Sequence, residues 1–89
     1  MIIEFTKQAD LDLEYFKKSG NLQTIKKIKK LLQSISDTPF AGIGQPEPLK
    51  HQLSGTWSRR INREHRVIYE VDDNTVYVLS LKGHYNPKS

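Results

Sequence analysis

Apolar positions recur at helical spacing through the first 35 residues and alternate through the last 35, so the chain changes its period once. The run Ile2-Ile3-Glu4-Phe5 ends at Thr6, a residue type that caps helix N-termini, which predicts a strand leading directly into a helix. Ala9, Leu13 and Phe16 then share one helical face with Tyr15 on its flank, and Ser19-Gly20-Asn21 supplies the stop. A second helix capped by Asn21 follows, in which Leu22, Ile25, Ile28, Leu32 and Ile35 step by three or four and lysines occupy the other face. Only a turn joins the two helices, so they form an antiparallel hairpin able to cover one face of a sheet.

Residues 37–51, DTPFAGIGQPEPLKH, hold three prolines and two glycines, a composition that denies regular structure while stiffening the backbone. Period-two alternation returns from Thr56 to Ile61, from Arg66 to Val71 and from Thr75 to Lys82. In the second segment Val67, Tyr69 and Val71 share a side, and in the third Val76 and Val78 oppose Tyr77, Leu79 and Leu81. Asp72-Asp73-Asn74 reads as a hairpin turn. The predicted order β-α-α-β-β-β is an α+β fold, with a helical hairpin packed on one face of a mostly antiparallel sheet. Its other face receives basic and aromatic side chains beside the proline-rich loop.

At 89 residues the expectation is a single domain, 1–89, made of a strand and helix hairpin (1–35), the loop (37–51), a three-stranded sheet (56–85) and a tail (86–89). A chain this small is marginally stable alone, which predicts a dimer or another partner. Cysteine is absent, excluding a disulfide framework, a thiolate nucleophile and Cys-based metal sites. No apolar stretch approaches a membrane span and Glu4 interrupts the N-terminal run, so the expected location is the cytoplasm.

Fourteen Lys and Arg face ten Asp and Glu, a formal +4, and the isoelectric point near 9.4 suits a polyanionic partner. Lys17, Lys18, Lys26, Lys27, Lys29 and Lys30 form one basic group with no acid between Glu14 and Asp37. Lys50, Arg59, Arg60, Arg63, Arg66 and Lys82 form another, interleaved with Trp57, Tyr69, Tyr77 and Tyr85. Solvated lysine faces are the commoner explanation of such groups.

His51, His65 and His84 lack the close spacing of paired ligands, so no metal or other cofactor is expected. Gly42-Ile43-Gly44 lacks the lysine and hydroxyl residue of a phosphate-binding loop, and Ser54-Gly55 lacks a nucleophile elbow. There remain Glu47 between two prolines, the arginines of adjacent strands, and His84-Tyr85 after the last strand. These residue types can cut RNA without a metal: a base takes the 2′-hydroxyl proton, cations hold the charge at phosphorus, and an acid protonates the leaving 5′-oxygen. From spacing alone a lone glutamate is more often a surface carboxylate.

The stretch TPFAGIGQPEPLKHQLSGTWSRRINREHRVIYEV, closed by KGHY, resembles the YoeB (Txe) branch of the RelE/ParE superfamily of bacterial toxins, and the βαα start also fits. The resemblance implies a RelE-like fold and a ribosome-dependent endoribonuclease, an mRNA interferase that cuts mRNA in the ribosomal A site and stops translation. It assigns Glu47 as general base, His84 as general acid, Arg66 as stabiliser of the scissile phosphate and Tyr85 as the residue positioning the nucleotide. Lys50, Arg59 and Arg60 match basic positions around the same pocket and are carried over as RNA contacts. The implied partners are the ribosome with its mRNA, a cognate YefM/Axe-like antitoxin that folds an acidic segment over the basic face, and a second copy in a homodimer. Two departures stand out: Lys82-Gly83 replaces an arginine-aromatic pair, and Asn86-Pro87-Lys88-Ser89 extends past the tyrosine where relatives commonly stop. The alternative is a RelE-like fold without nuclease activity, a topoisomerase-poisoning toxin or an RNA-binding module. Against it stands the coexistence of Glu47, Arg66, His84 and Tyr85.

Overall fold

A computed structural model describes residues 1–49 and 55–83. Seven elements follow in order: β1 (Ile2–Phe5), α1 (Lys7–Lys18), α2 (Leu22–Asp37), β2 (Glu47–Pro48), β3 (Thr56–Arg60), β4 (Arg66–Asp72) and β5 (Thr75–Ser80). The five strands form one sheet in the order β1-β5-β4-β3-β2. Three pairings are antiparallel and β1 runs parallel to β5, so the sheet is mixed and the α+β class predicted from the pattern holds.

The predicted caps explain where the helices begin. The Thr6 hydroxyl accepts from the Ala9 amide at 3.2 Å, and the Asn21 side chain accepts from the Thr24 amide at the same distance, each satisfying an otherwise unpartnered first-turn donor. Ala9 and Phe16 of α1 pack with Ile28, Leu31 and Ile35 of α2 against Val67, Tyr69, Val76 and Val78 of the sheet.

Three sequence expectations change. In α2 the buried positions are Thr24, Ile28, Leu31 and Ile35, whereas Ile25 and Leu32 are half-buried and Leu22 is exposed. The helix is rotated by roughly one residue from the predicted stripe, which brings Leu31 onto the sheet. Leu81 is buried with Val76 and Val78 instead of lying opposite them. The register slips between Ile68, paired with Ser80, and Tyr69, paired with Val78. The extra residue, Leu79, is a bulge that reverses the phase of everything after it. Finally, the proline-rich loop ends as a short edge strand, with Glu47 opposite Ser58 and Pro48 opposite Trp57. Proline is tolerated there because an edge strand has a side with no ladder to join.

Candidate active site

The site is built where β2, β3 and β4 lie side by side. Residues directly opposite each other in a sheet share a face, so the pairings Glu47↔Ser58 and Ser58↔Ile68, followed two residues on by Arg60↔Arg66, put Glu47, Arg60 and Arg66 on the face turned away from the helices. Glu47 and Arg60 are exposed and Arg66 is half-buried. Burial, and then the adjacent Arg60 charge, push the Arg66 guanidinium below its ordinary pKa, while Glu47 draws it back up. Two arginines directly opposite each other repel, and an anion between them would relieve that repulsion.

Arg66 is aimed by its own backbone turn. Its Nη1 donates to the carbonyls of Asn62 at 2.7 Å and His65 at 3.0 Å. The Asn62 side chain in turn accepts from the Glu64 and His65 amides at 2.8 and 2.9 Å, closing the connection between β3 and β4. Among the described residues none accepts from Nε or Nη2 of Arg66, so that edge of the guanidinium keeps its two donors for an oxyanion.

Arg59 is the correction. It was expected to touch RNA, but it is fully buried on the helix side of β3. Its Nη2 donates to the carbonyls of Thr38 (2.6 Å) and Ala41 (2.9 Å), and Nη1 to the Ser34 hydroxyl (2.7 Å) and the Ile43 carbonyl (3.1 Å). Nε donates to the Tyr69 hydroxyl at 3.1 Å, and Tyr69 donates onward to the Pro39 carbonyl at 2.6 Å. Arg59 therefore fastens residues 38–43 to α2 and the sheet instead of reaching outward, and Glu47 follows on that fastened loop. Trp57 and Tyr69 also face the helices, Trp57 packing on Phe40 with ring centroids 5.0 Å apart, so of the aromatics interleaved with the basic residues Tyr77, opposite Glu70, is the one among the described residues that lies on the other face. Burial pushes the Tyr69 phenol above its usual pKa, and Arg59 partly opposes this.

The glycines of the loop are required by the close approach. A Cβ on Gly44, at φ +83°, would lie 2.6 Å from Leu31 Cδ2, and one on Gly42, at φ +127°, would lie 2.5 Å from Ser34 Oγ. The Gly44 carbonyl accepts from the Arg60 amide at 2.6 Å, which ties the loop to the end of β3.

Two residues with no role expected from the sequence hold the chain after β5. The carboxylate of Asp12, buried on α1, accepts from the Leu81 amide at 2.8 Å and the Lys82 amide at 3.2 Å. His65 Nδ1 accepts from the Gly83 amide at 2.8 Å, and its ring packs edge-on against Phe16. Asp12 lies on the same face as Ala9 and Phe16, so helical spacing marks it as an acid turned inward. Nothing in the local pattern marks His65. Lys50, His51, His84 and Tyr85 lie outside the described residues.

A groove lined by Asn21, Lys26, Lys27, Lys30, Ile61 and Asn62 continues, through Lys27 and Asn62, into one lined by Gln45, Arg60 and Arg63. Lysines of α2 thus lead to the arginine end of the sheet. Among the described residues no three His, Asp or Glu side chains gather as around a metal ion, and no described helix is long and apolar enough to cross a membrane.

Residues 5–85 match the family described as the YoeB-like toxin of bacterial type II toxin-antitoxin systems. Toxin YoeB of Synechocystis sp. is 44% identical over 85 residues, spanning 96% of this chain and 98% of that protein. The solved YoeB-YefM complex from Staphylococcus aureus contains a chain 48% identical to this one with a TM-score of 0.85. The solved YoeB dimer from the same organism is 46% identical with a TM-score of 0.87. In both cases the likeness covers 96% of this chain and 98% of the other. The chain belongs to the YoeB-like toxins of bacterial type II toxin-antitoxin systems, a family of mRNA endoribonucleases.

Proposed function

We propose that this toxin cuts mRNA on the ribosome, in the A site, by acid-base chemistry supplied entirely by side chains. The observation that carries the reading is the grouping of Glu47, Arg60 and Arg66 on one sheet face, a carboxylate beside two mutually repelling cations. Glu47 takes the proton from the 2′-hydroxyl, and the freed oxygen attacks the adjacent phosphorus. The free edge of the Arg66 guanidinium holds the non-bridging oxygens as charge builds on them. The bond to the 5′-oxygen breaks, His84 delivers the proton that oxygen needs, and a 2′,3′-cyclic phosphate and a 5′-hydroxyl remain. Tyr85 positions the nucleotide, and Lys50 and Arg60 contact the RNA backbone.

In the cytoplasm the toxin is held by a YefM-like antitoxin, and it pairs with a second copy of itself. The complex and the dimer solved for the Staphylococcus aureus relatives support both partnerships. Residues 1–89 act as one toxin domain. Primer extension on a defined mRNA, with and without programmed ribosomes, tests the activity. Cuts at A-site codons only in the presence of ribosomes are expected, and intact mRNA in both lanes from folded protein would overturn the reading in favour of a non-nuclease toxin.

A further inference from the structure

Beyond the end of β5 at Ser80, the backbone amides of Leu81, Lys82 and Gly83 have left the sheet ladder, and each needs another acceptor. All three receive side-chain acceptors from distant parts of the chain: Asp12 Oδ2 for the first two and His65 Nδ1 for the third. The segment is held in other ways as well. Leu81 is fully buried, the Lys82 ammonium sits 4.0 Å from the centre of the Tyr15 ring, and the Gly83 carbonyl accepts from the Arg66 amide at 3.1 Å. α1 supplies both supports, since Asp12 and Phe16, which buttresses the His65 ring, lie one turn apart on its inner face.

We propose that Asp12 and His65 are positioning residues for the cleavage reaction: by binding three successive amides they fix Gly83, whose carbonyl accepts from the Arg66 amide, and so hold the start of β4 from which Arg66 projects. The inference rests on the proposed role of Arg66 as the phosphate-binding cation. His65 directly precedes Arg66 and its carbonyl accepts from Arg66 Nη1 at 3.0 Å, so the clamp and the guanidinium share one short connection. Gly83 lies at φ +81°, a conformation that favours glycine. A phosphate-binding group displaced by about 1 Å loses on the order of a hundredfold in rate, so a clamp on the backbone beside it acts on kcat.

Acceptance at Nδ1 requires the neutral imidazole with its proton on Nε2. His65→Phe keeps a ring against Phe16 and removes the acceptor, while His65→Asn offers Oδ1 near the place of Nδ1. In single-turnover and steady-state cleavage on programmed ribosomes, His65→Phe and Asp12→Leu are expected to lower kcat by roughly ten- to a hundredfold with ribosome KM changed by less than about threefold. His65→Asn should recover most of the loss. Equal losses in His65→Phe and His65→Asn, or a wild-type kcat in His65→Phe, would overturn the clamp while wild-type cleavage and an inactive His84→Ala left the proposed function standing. Absence of cleavage by the wild-type chain would overturn that function, and the inference with it. Nitrogen NMR of the wild-type protein gives a reading independent of any variant's folding. An unprotonated Nδ1 on His65 and slowly exchanging amides at Leu81, Lys82 and Gly83 are expected, and a protonated Nδ1 at neutral pH would overturn the proposal.

Discussion

The Arg59 guanidinium donates through Nε to the Tyr69 hydroxyl at 3.1 Å, and that hydroxyl donates to the Pro39 carbonyl at 2.6 Å, so a buried cation and a buried phenol together hold the loop that leads to Glu47. A fully buried guanidinium is tolerated because loop carbonyls and hydroxyls replace its lost water. Lysine offers a single ammonium that cannot span acceptors lying on different sides of a planar fork.

Arg59→Lys should therefore destabilise the free toxin by about 3 kcal/mol or more, lowering Tm by about 12 °C or more. Urea unfolding in the absence of RNA measures this directly. Unchanged stability combined with weaker RNA binding would return Arg59 to the role of an RNA contact.

Tyr69 links the same network to pH. Its phenol has a folded-state pKa raised above the ordinary value by burial, so the neutral form is favoured in the fold. The stability this represents is fully present below about pH 10, the ordinary tyrosine value, and is lost as pH rises through the folded value. Urea midpoints measured between pH 7 and 11 should fall at the alkaline end. In Tyr69→Phe that component of the alkaline fall should vanish, at a cost of about 1–2 kcal/mol at neutral pH from the unpartnered Pro39 carbonyl and Arg59 Nε. A wild-type alkaline limb in Tyr69→Phe would assign it to other groups.

Gly44→Ala should cost about 2–3 kcal/mol, since a methyl group there meets Leu31 Cδ2 at 2.6 Å in a backbone conformation that already disfavours alanine. Gly20→Ala is the control. It has a similar φ of +70° and nothing within 4 Å of the added carbon, so only the conformational cost of about 1 kcal/mol remains. Denaturant unfolding of both variants separates crowding from backbone preference, and equal losses would show that the approach of the loop to α2 is unimportant.

The contrast between Thr6 and Arg59 shows what was legible in the sequence. Thr6, Asn21 and the Asp73-Asn74 turn act within three residues of themselves, so their caps and turn could be read from local spacing. The pairing of Ile2 with Thr75 and the bulge at Leu79 depend on where distant strands meet, and no local period encodes them. Arg59 was carried over as an RNA contact from the resemblance, and its burial was not legible because its acceptors are mostly loop carbonyls, which any sequence carries. For the proposed site, Glu47 and Arg66 were assigned by resemblance, and the strand register is what groups them. Asp12 sat visibly on the inner face of a predicted helix, yet its partners are backbone amides some seventy residues away.

The chemical assignment makes its own demand on Arg66. Nη1 is engaged by two backbone carbonyls, so a lysine could satisfy the turn or the phosphate but not both. Arg66→Lys should lower the single-turnover cleavage rate at least tenfold, and Glu47→Ala about a hundredfold, with unfolding midpoints near wild type. Full cleavage in Glu47→Ala would remove it from the role of base.

The lysines of α2 are not equivalent, because only some of them line the groove that leads to Arg60 and Arg63. Lys26, Lys27 and Lys30 do so, and Lys29 is not among its lining residues. If RNA phosphates follow the groove, each lysine that meets one releases a counterion, and the logarithm of affinity falls with the logarithm of salt by roughly 0.7 to 0.9 per contact. Replacing Lys26, Lys27 and Lys30 together by glutamine should therefore weaken ribosome binding at low salt and flatten its salt dependence by about two units or more, whereas Lys29→Gln should leave both near wild type. Net charge alone would make the effect scale with the number of lysines removed, wherever they sit. A triple variant placed on Lys7, Lys17 and Lys29 separates the two accounts, because it removes the same charge without touching the groove, and an equal loss in both triple variants would show that the groove has no special part in binding.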